Sequence, residues 1–242
     1  MKKIKFCIFY SLISLLAISE SAFANNKGYY FDASIASNRV NHQINSSEIN
    51  QISPVTQNRQ TDKNRQNPYA DNVTSEETGF SLKIGNKITN VIFDNFFISP
   101  GISYERINND ITDSAVIKYT INDRIVADIA FGLDVTSKLS TYASVGFADL
   151  SYEVDANNVT YPVSIYGEPL STSLGSYENR ESSIIYGAGI KYQARKNLYL
   201  LLEYSRQDVN LHSEHKAVPG GVTLIDMNSK IESVKIGISK NL

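Results

Sequence analysis

The 242-residue chain has one cysteine, no tryptophan, three histidines and six prolines. The cysteine, Cys7, lies in an N-terminal stretch expected to be removed, so the rest of the chain has no disulfide framework and no thiol chemistry. Charge of one sign is also lacking. Without Lys2, Lys3, Lys5 and Glu20, the 23 basic and 25 acidic residues fall to 20 and 24. A net charge of that sign argues against nucleic acid as a partner. After Ala24 no apolar run approaches the ~20 residues of a membrane helix. No Walker A sequence, nucleotide-binding glycine motif, internal repeat or Arg-Gly-Asp triplet is visible.

The N-terminus has the layout of a secretory signal. Lys2, Lys3 and Lys5 precede an apolar core from Phe6 to Ile18, interrupted only by Ser11 and Ser14. Ala22-Phe23-Ala24 puts small residues at the two positions that a signal peptidase reads, so cleavage is expected after Ala24. Residues 25–242 then form a single β domain.

What fills that domain is alternation. In Ile184–Tyr204 the residues Ile184, Tyr186, Ala188, Ile190 and Tyr192 share one face of a strand. After a short polar turn, Leu198, Leu200, Leu202 and Tyr204 share one face of the next. The opposite faces carry Gly187, Gly189, Lys191 and Glu203. The same pattern recurs from Gly28, from Gly79, from Phe96, over Val116–Asp134, from Leu139 and over Met227–Leu242. Pro100 predicts a bulge or bend. In Leu139–Tyr152 the apolar parity moves from Val145 and Phe147 to Leu150 and Tyr152, which predicts a second bulge. In Val116–Asp134 the odd positions from Ile117 to Leu133 read as one apolar face.

Eight strands result, and their connections alternate in length. Asn41–Glu77, Glu153–Arg180 and Asn210–Asp226 read as long polar loops, and Asn108–Ser114 as an intermediate one. The connections at Thr89–Asn95, Val135–Lys138 and Gln193–Asn197 are short. Long loops on one rim, short turns on the other, apolar stripes outward and charges inward is the layout of a membrane barrel. The expected fold is all-β: an eight-stranded antiparallel up-and-down transmembrane barrel, with both chain ends on the periplasmic side.

At this point the chain resembles the eight-stranded outer-membrane barrel family of OmpA-type barrels, OmpX and the opacity-type surface antigens. Tyr186-Gly187-Ala188-Gly189-Ile190, Asn197-Leu198 and Glu203-Tyr204 look like that family's penultimate hairpin. The asparagine- and isoleucine-rich composition with a long first loop is also similar to small adhesin barrels of rickettsia-like bacteria. Barrels of this kind usually end on an aromatic residue, whereas this chain ends on Leu242. The resemblance implies an outer-membrane location.

Asp32, Lys83, Lys87, Glu105, Asp128, Lys191, Glu203 and Lys235 fall on the mixed faces. Inside a narrow eight-stranded barrel such charges must be paired, because an unpaired buried ion is very costly. They are read as a structural lumen charge network, with a polar ion path as the alternative. His212-Ser213-Glu214-His215 has residue types suited to a nucleophile–base set or a metal site. It falls in an expected loop, where nothing fixes its geometry. No catalytic residue, metal or cofactor is therefore assigned. Asn45-Ser46-Ser47, Asn72-Val73-Thr74 and Asn158-Val159-Thr160 match the glycosylation triplet, which is read as coincidence in a bacterial envelope. Recognition by loops leads the functional readings. The expected partners are outer-membrane lipid and a host or extracellular-matrix protein, bound by a monomer. A narrow pore or scaffold and a lipid-modifying enzyme are the alternatives.

Overall fold

A computed structural model describes residues 27–50, 73–113, 117–155, 160–165, 168–173, 175–217 and 221–242. The signal segment and the triplet asparagines Asn45, Asn72 and Asn158 have no described side chains. The strands are β1 (Lys27–Asn50), β2 (Val73–Thr89), β3 (Phe96–Asp113), β4 (Ile117–Asp134) and β5 (Leu139–Asp155). They continue with β6 (Thr160–Ile165), β7 (Glu168–Ser173), β8 (Ser176–Arg195), β9 (Leu198–Ala217) and β10 (Gly221–Asn241). Eight of them close antiparallel into a barrel in the order β1-β10-β9-β8-β5-β4-β3-β2, and β6 and β7 pair as a separate hairpin between β5 and β8.

Closure places β1 against β10, from Tyr30↔Asn241 to Asn50↔Val222 with a bulge between Ile44 and Ser46. The Leu242 N–H donates to the Tyr29 carbonyl and finishes the seam. The turns near the chain ends are short. Asn90, Asn95 and Asn197 take positive φ there, a conformation that asparagine tolerates better than most residues.

One band of the outer surface is apolar. Phe31, Ile35, Phe80, Leu82, Ile84, Phe131, Val145, Ile184, Ile190, Leu200, Leu202, Ile236 and Ile238 are all exposed. On β10 the band runs from Val234 to Leu242. A stretch of about nine residues in a strand tilted about 40° rises roughly 23 Å, close to the apolar height of outer-membrane barrels. Above the band, the first charged outward residue on each strand forms a ring. In barrel order it is Arg39, Glu232, Arg206, Arg180, Asp149, Asp123, Arg106 and Glu76.

The strands do not stop at that ring. β1 has 24 residues and β10 has 21, about twice the 9–11 that a crossing needs. Much of what the sequence assigns to loops is therefore ladder. Of Asn210–Asp226, read as a loop, residues 210–217 and 221–226 are the paired ends of β9 and β10, which pair up to Ala217↔Gly221. β1 and β2 likewise extend into Asn41–Glu77, and β5 and β8 into Glu153–Arg180.

Above the bilayer the cylinder also divides. β2 and β3 pair only as far as Phe80↔Arg106, and β8 and β9 only as far as Ile185↔Gln207. The other ladders continue upward. The extracellular half is thus two four-stranded sheets, β9-β10-β1-β2 facing β3-β4-β5-β8. Between them lies an apolar core: Val40, Val209, Leu211, Met227 and Ile231 from the first sheet, and Ile107, Tyr119, Ile121, Leu150, Tyr152 and Val154 from the second. A membrane barrel below becomes a sandwich above, and its faces exchange polarity accordingly.

This exchange corrects two expectations. β5 has no bulge at Leu150. Its inward positions run regularly through Ser140, Tyr142, Ala148, Leu150, Tyr152 and Val154. The apolar residues change parity because the surroundings invert while the strand stays regular. β4, read as one continuous face, carries a real bulge between Ile121 and Asp123. Tyr119 and Ile121 therefore point inward, whereas Phe131 and Leu133 face lipid. At Pro100 the β2–β3 ladder lapses between Gly85↔Gly101 and Ile88↔Ile98 without a change of register. The missing N–H interrupts the pairing there but does not shift it.

Candidate functional site

The lower lumen is a stack of ion pairs donated by opposite walls. Nearest the periplasmic mouth, Lys87 Nζ lies 2.5 Å from Asp134 Oδ1, which also accepts from Ser140 Oγ at 2.6 Å. Above them Lys83 Nζ is 2.5 Å from Asp128 Oδ2. Lys191 Nζ is 2.9 Å from Asp32 Oδ2, donates to Ser239 Oγ at 3.0 Å and lies 3.9 Å from the centre of the Tyr30 ring. Next, Lys235 bridges Glu105 and Glu203, with Glu203 Oε1 at 2.9 Å, and Tyr142 OH donates to Glu203 at 2.7 Å. At the top Arg124 Nη2 lies 2.7 Å from Glu105. Arg124 Nε also donates to Glu105 Oε2 at 2.8 Å, Nη1 to Gln207 Oε1 at 3.1 Å, and Nη2 reaches Ser205 Oγ at 3.3 Å and Ser233 Oγ at 3.2 Å.

The structure thus brings Asp32, Lys83, Glu105, Asp128, Lys191, Glu203 and Lys235 into one lumen, each with an opposite charge in contact. Every one of them is at least part-buried. Arg124, fully buried at the centre of the upper layer, is absent from the sequence reading. Parity could have found it, since it alternates with Val126 and Asp128, but the bulge two residues earlier obscures the count. Tyr30 and Tyr142 also line the lumen and are not among the charges that parity selects. The lumen glycines make room for them: a Cβ at Gly85 would overlap the Tyr30 ring, and one at Gly189 the Tyr142 ring. Gly101 is the lumen glycine that accommodates a charge, lying beside the Lys83 stem and Asp128.

What the plug can do chemically is limited. Among the described residues five cations meet five carboxylates, so no net charge invites an ion. Directly above, the eleven-residue apolar core fills the space between the sheets. A small cavity remains at the periplasmic mouth, lined by Tyr30, Asp32, Lys83, Lys191 and Tyr199 among others. The lysines there are already held by carboxylates.

His42 sits in the extracellular core, above the apolar band. It is buried, its Nδ1 is 2.6 Å from Ser229 Oγ, and its ring stacks 6.2 Å from that of Tyr119. Burial pushes its imidazole down to about 4. His212 is on β9 rather than in a loop: its backbone pairs with Asp226, and Tyr152 OH bonds to both its N–H, at 3.1 Å, and its carbonyl. The side chains of Ser213, Glu214 and His215 lie outside the described residues. Among the described residues no cluster of histidine, cysteine and carboxylates with metal-binding geometry occurs.

The chain matches solved barrels over most of its length. OprG from Pseudomonas aeruginosa is 7% identical, with a TM-score of 0.50 and coverage of 90% of this chain and 96% of that one. The outer-membrane protein AlkL, determined in lipid bilayers, is 11% identical at a TM-score of 0.50, over 92% and 93%. Ail of Yersinia pestis, crystallised with the heparin analogue sucrose octasulfate, is 14% identical at a TM-score of 0.40, over 88% and 98%. At these identities the likeness shows the fold alone. No curated protein matches the chain. The outer membrane protein beta-barrel domain model matches residues 10–233, so the chain belongs to that family of bacterial outer-membrane barrels.

Proposed function

We propose that this barrel is a surface recognition protein: a monomer, secreted by way of residues 1–24, that presents its extracellular sandwich and the connections above it to a host or extracellular-matrix protein. One observation carries the reading. The strands run on well past the bilayer and build a second, polar-surfaced body with its own apolar core. A barrel needed only as an envelope scaffold could end at the charged ring. Rigid elements that raise connecting segments above a membrane are a common platform for binding. Transport is disfavoured by the paired plug and by the packed core above it. Catalysis has no assembled set of groups to support it among the described residues.

The test is display. Cells carrying the full chain are compared with cells whose barrel has residues 43–73, 107–121, 151–181 and 208–230 replaced by tight turns. Adhesion to immobilised matrix proteins is expected for the first and not the second. Equal adhesion by both would transfer the activity to the bilayer-embedded part and end the proposal.

A further inference from the structure

The two forks where the cylinder divides are not alike. The β8–β9 fork is latched by side chains. Tyr152 OH bonds to the backbone of His212, and Gln207 Nε2 donates to Ser183 Oγ at 3.0 Å and to the Ala148 carbonyl at 3.5 Å. The β2–β3 fork carries no such latch among the described residues. Instead its walls hold unpartnered polar atoms. Among the described residues both carboxamide atoms of Asn109 are buried without a hydrogen bond, on a residue with 0% exposure. Asn38 Nδ2 is also unpartnered, and it lies against Gly79 at the base of the fork. Glu77 has inward parity, opposite the buried Asn38, and yet is exposed. Solvent therefore reaches the β2 wall of the fork, while Asn38 and Asn109 behind it stay buried.

Gly79 explains how the fork can start here. A Cβ at that position would overlap the Arg106 carbonyl, so the two strands meet very closely at the base. The β3 bulge, between Arg106 and Asn109 with Asn108 at φ 55, then turns β3 away from β2. Above it, residues 73–79 pair only with β1 and residues 109–113 only with β4, with Ile107 and Asn108 in the bulge. Each is an open strand edge of about five to seven residues, with backbone donors and acceptors directed across the gap. Leaving a buried polar group unsatisfied costs about 1–3 kcal/mol, so the Asn109 carboxamide favours an added partner.

Resting on the recognition reading above, we propose that the β2–β3 fork is a strand-addition site for an extended segment of another protein. The added strand runs between β2 and β3 and takes their free backbone groups. Its inward residues meet Val40, Ile107 and Tyr119, and its outward residues meet water. It is therefore an alternating apolar–polar segment of about seven residues without proline. A second copy of this chain is a poor occupant. Neighbouring barrels stand parallel in one membrane, and their own sheets would have to pass the β2 and β3 walls to reach the gap.

The probe is a soluble peptide of alternating Thr and Val with lysines at both ends, alongside the same peptide N-methylated throughout. Full-length protein in lipid nanodiscs is titrated with each, and amide exchange is followed. The free-amide peptide is expected to bind and to protect Val73–Gly79 and Ile107–Asp113. The N-methylated peptide, with no N–H donors and methyls in the ladder, is expected not to bind detectably, and Asn109→Leu is expected to lose roughly tenfold in affinity, the size of one or two missing hydrogen bonds. Equal binding of both peptides, protection confined to β8 and β9, or peptide-independent self-association that protects the same amides would each overturn the proposal. The display assay is run in parallel. Adhesion that persists while the peptide fails removes this site and leaves the recognition reading standing. Adhesion that fails while the peptide binds and protects these amides removes the recognition reading alone.

Discussion

Arg124 shows what a single residue does in this lumen. It is fully buried and shares Glu105 with Lys235, while its remaining donors reach Gln207, Ser205 and Ser233. Arg124→Met leaves Glu105 with one cation and three acceptors without a donor. Breaking a buried pair in this way costs about 3–5 kcal/mol. Urea unfolding in detergent micelles should show a loss of that order, and the double change with Glu105→Gln should recover much of it. On the opposite face, Ile236 is among the most exposed apolar residues of the band, at 67%. Ile236→Lys places an ammonium near mid-bilayer and is expected to cost about 2–4 kcal/mol, read as a lower folded fraction after refolding into lipid. Changing Lys230 to another cation on the same strand, above the band, should have almost no effect.

At the scale of the element, alternation makes most of the barrel legible. A period of two marks the lipid face of β8, β9 and β10, because one solvent bathes that face along its whole crossing. Partner choice is not legible: Lys235 on β10 meets Glu105 on β3, a pairing that only closure creates. Strand ends are also hidden. Residues 41–50 and 73–77, and residues 210–217 and 221–226, are ladder continued past the membrane, and their polar composition cannot be separated from that of a loop. β5 illustrates the same limit: Leu150 and Tyr152 look like a slip of register when read as membrane strand, and are a regular core when read as sandwich. The core they build predicts a pH effect through His42. Its imidazole titrates near 4 when folded and near 6.5 when unfolded. The unfolded segment binds the proton first, so stability is intact above about pH 6.5 and is lost progressively as pH falls toward 4. The facing side chains are Ser229 and Tyr119, with no carboxylate among them to hold an imidazolium. Protection factors, that is amide exchange corrected for the intrinsic rate at each pH, should be lower in the extracellular halves of β1 and β10 at pH 5 than at pH 7.5, and His42→Phe should abolish the difference.

For the whole molecule, the lower and upper halves close the lumen by different means. The lower half uses balanced ion pairs, and the upper half uses apolar packing. Barrels inserted into planar bilayers should therefore show no steady conductance at modest voltage. A persistent open level would mean that ions find a route past both the Lys235 layer and the Leu150 core. Family membership sets the scaffold and the compartment, and many activities share such scaffolds.

The level at which polarity exchanges has a mechanical consequence. On β5 the outward side changes from Phe147 to Asp149 just where the inward side changes from Gly146 and Ala148 to Leu150. Sinking the barrel by one residue pair would push Asp149 into hydrocarbon, and raising it by one would strand Phe147 and its β8 partner Ile184 in water. Vertical play is thus suppressed wherever the charged residue directly follows the last apolar one, as it does on β3, β4, β5, β9 and β10. In a membrane thicker or thinner than its band, the accommodation has to come from the surrounding lipid, which must compress or stretch to meet the protein.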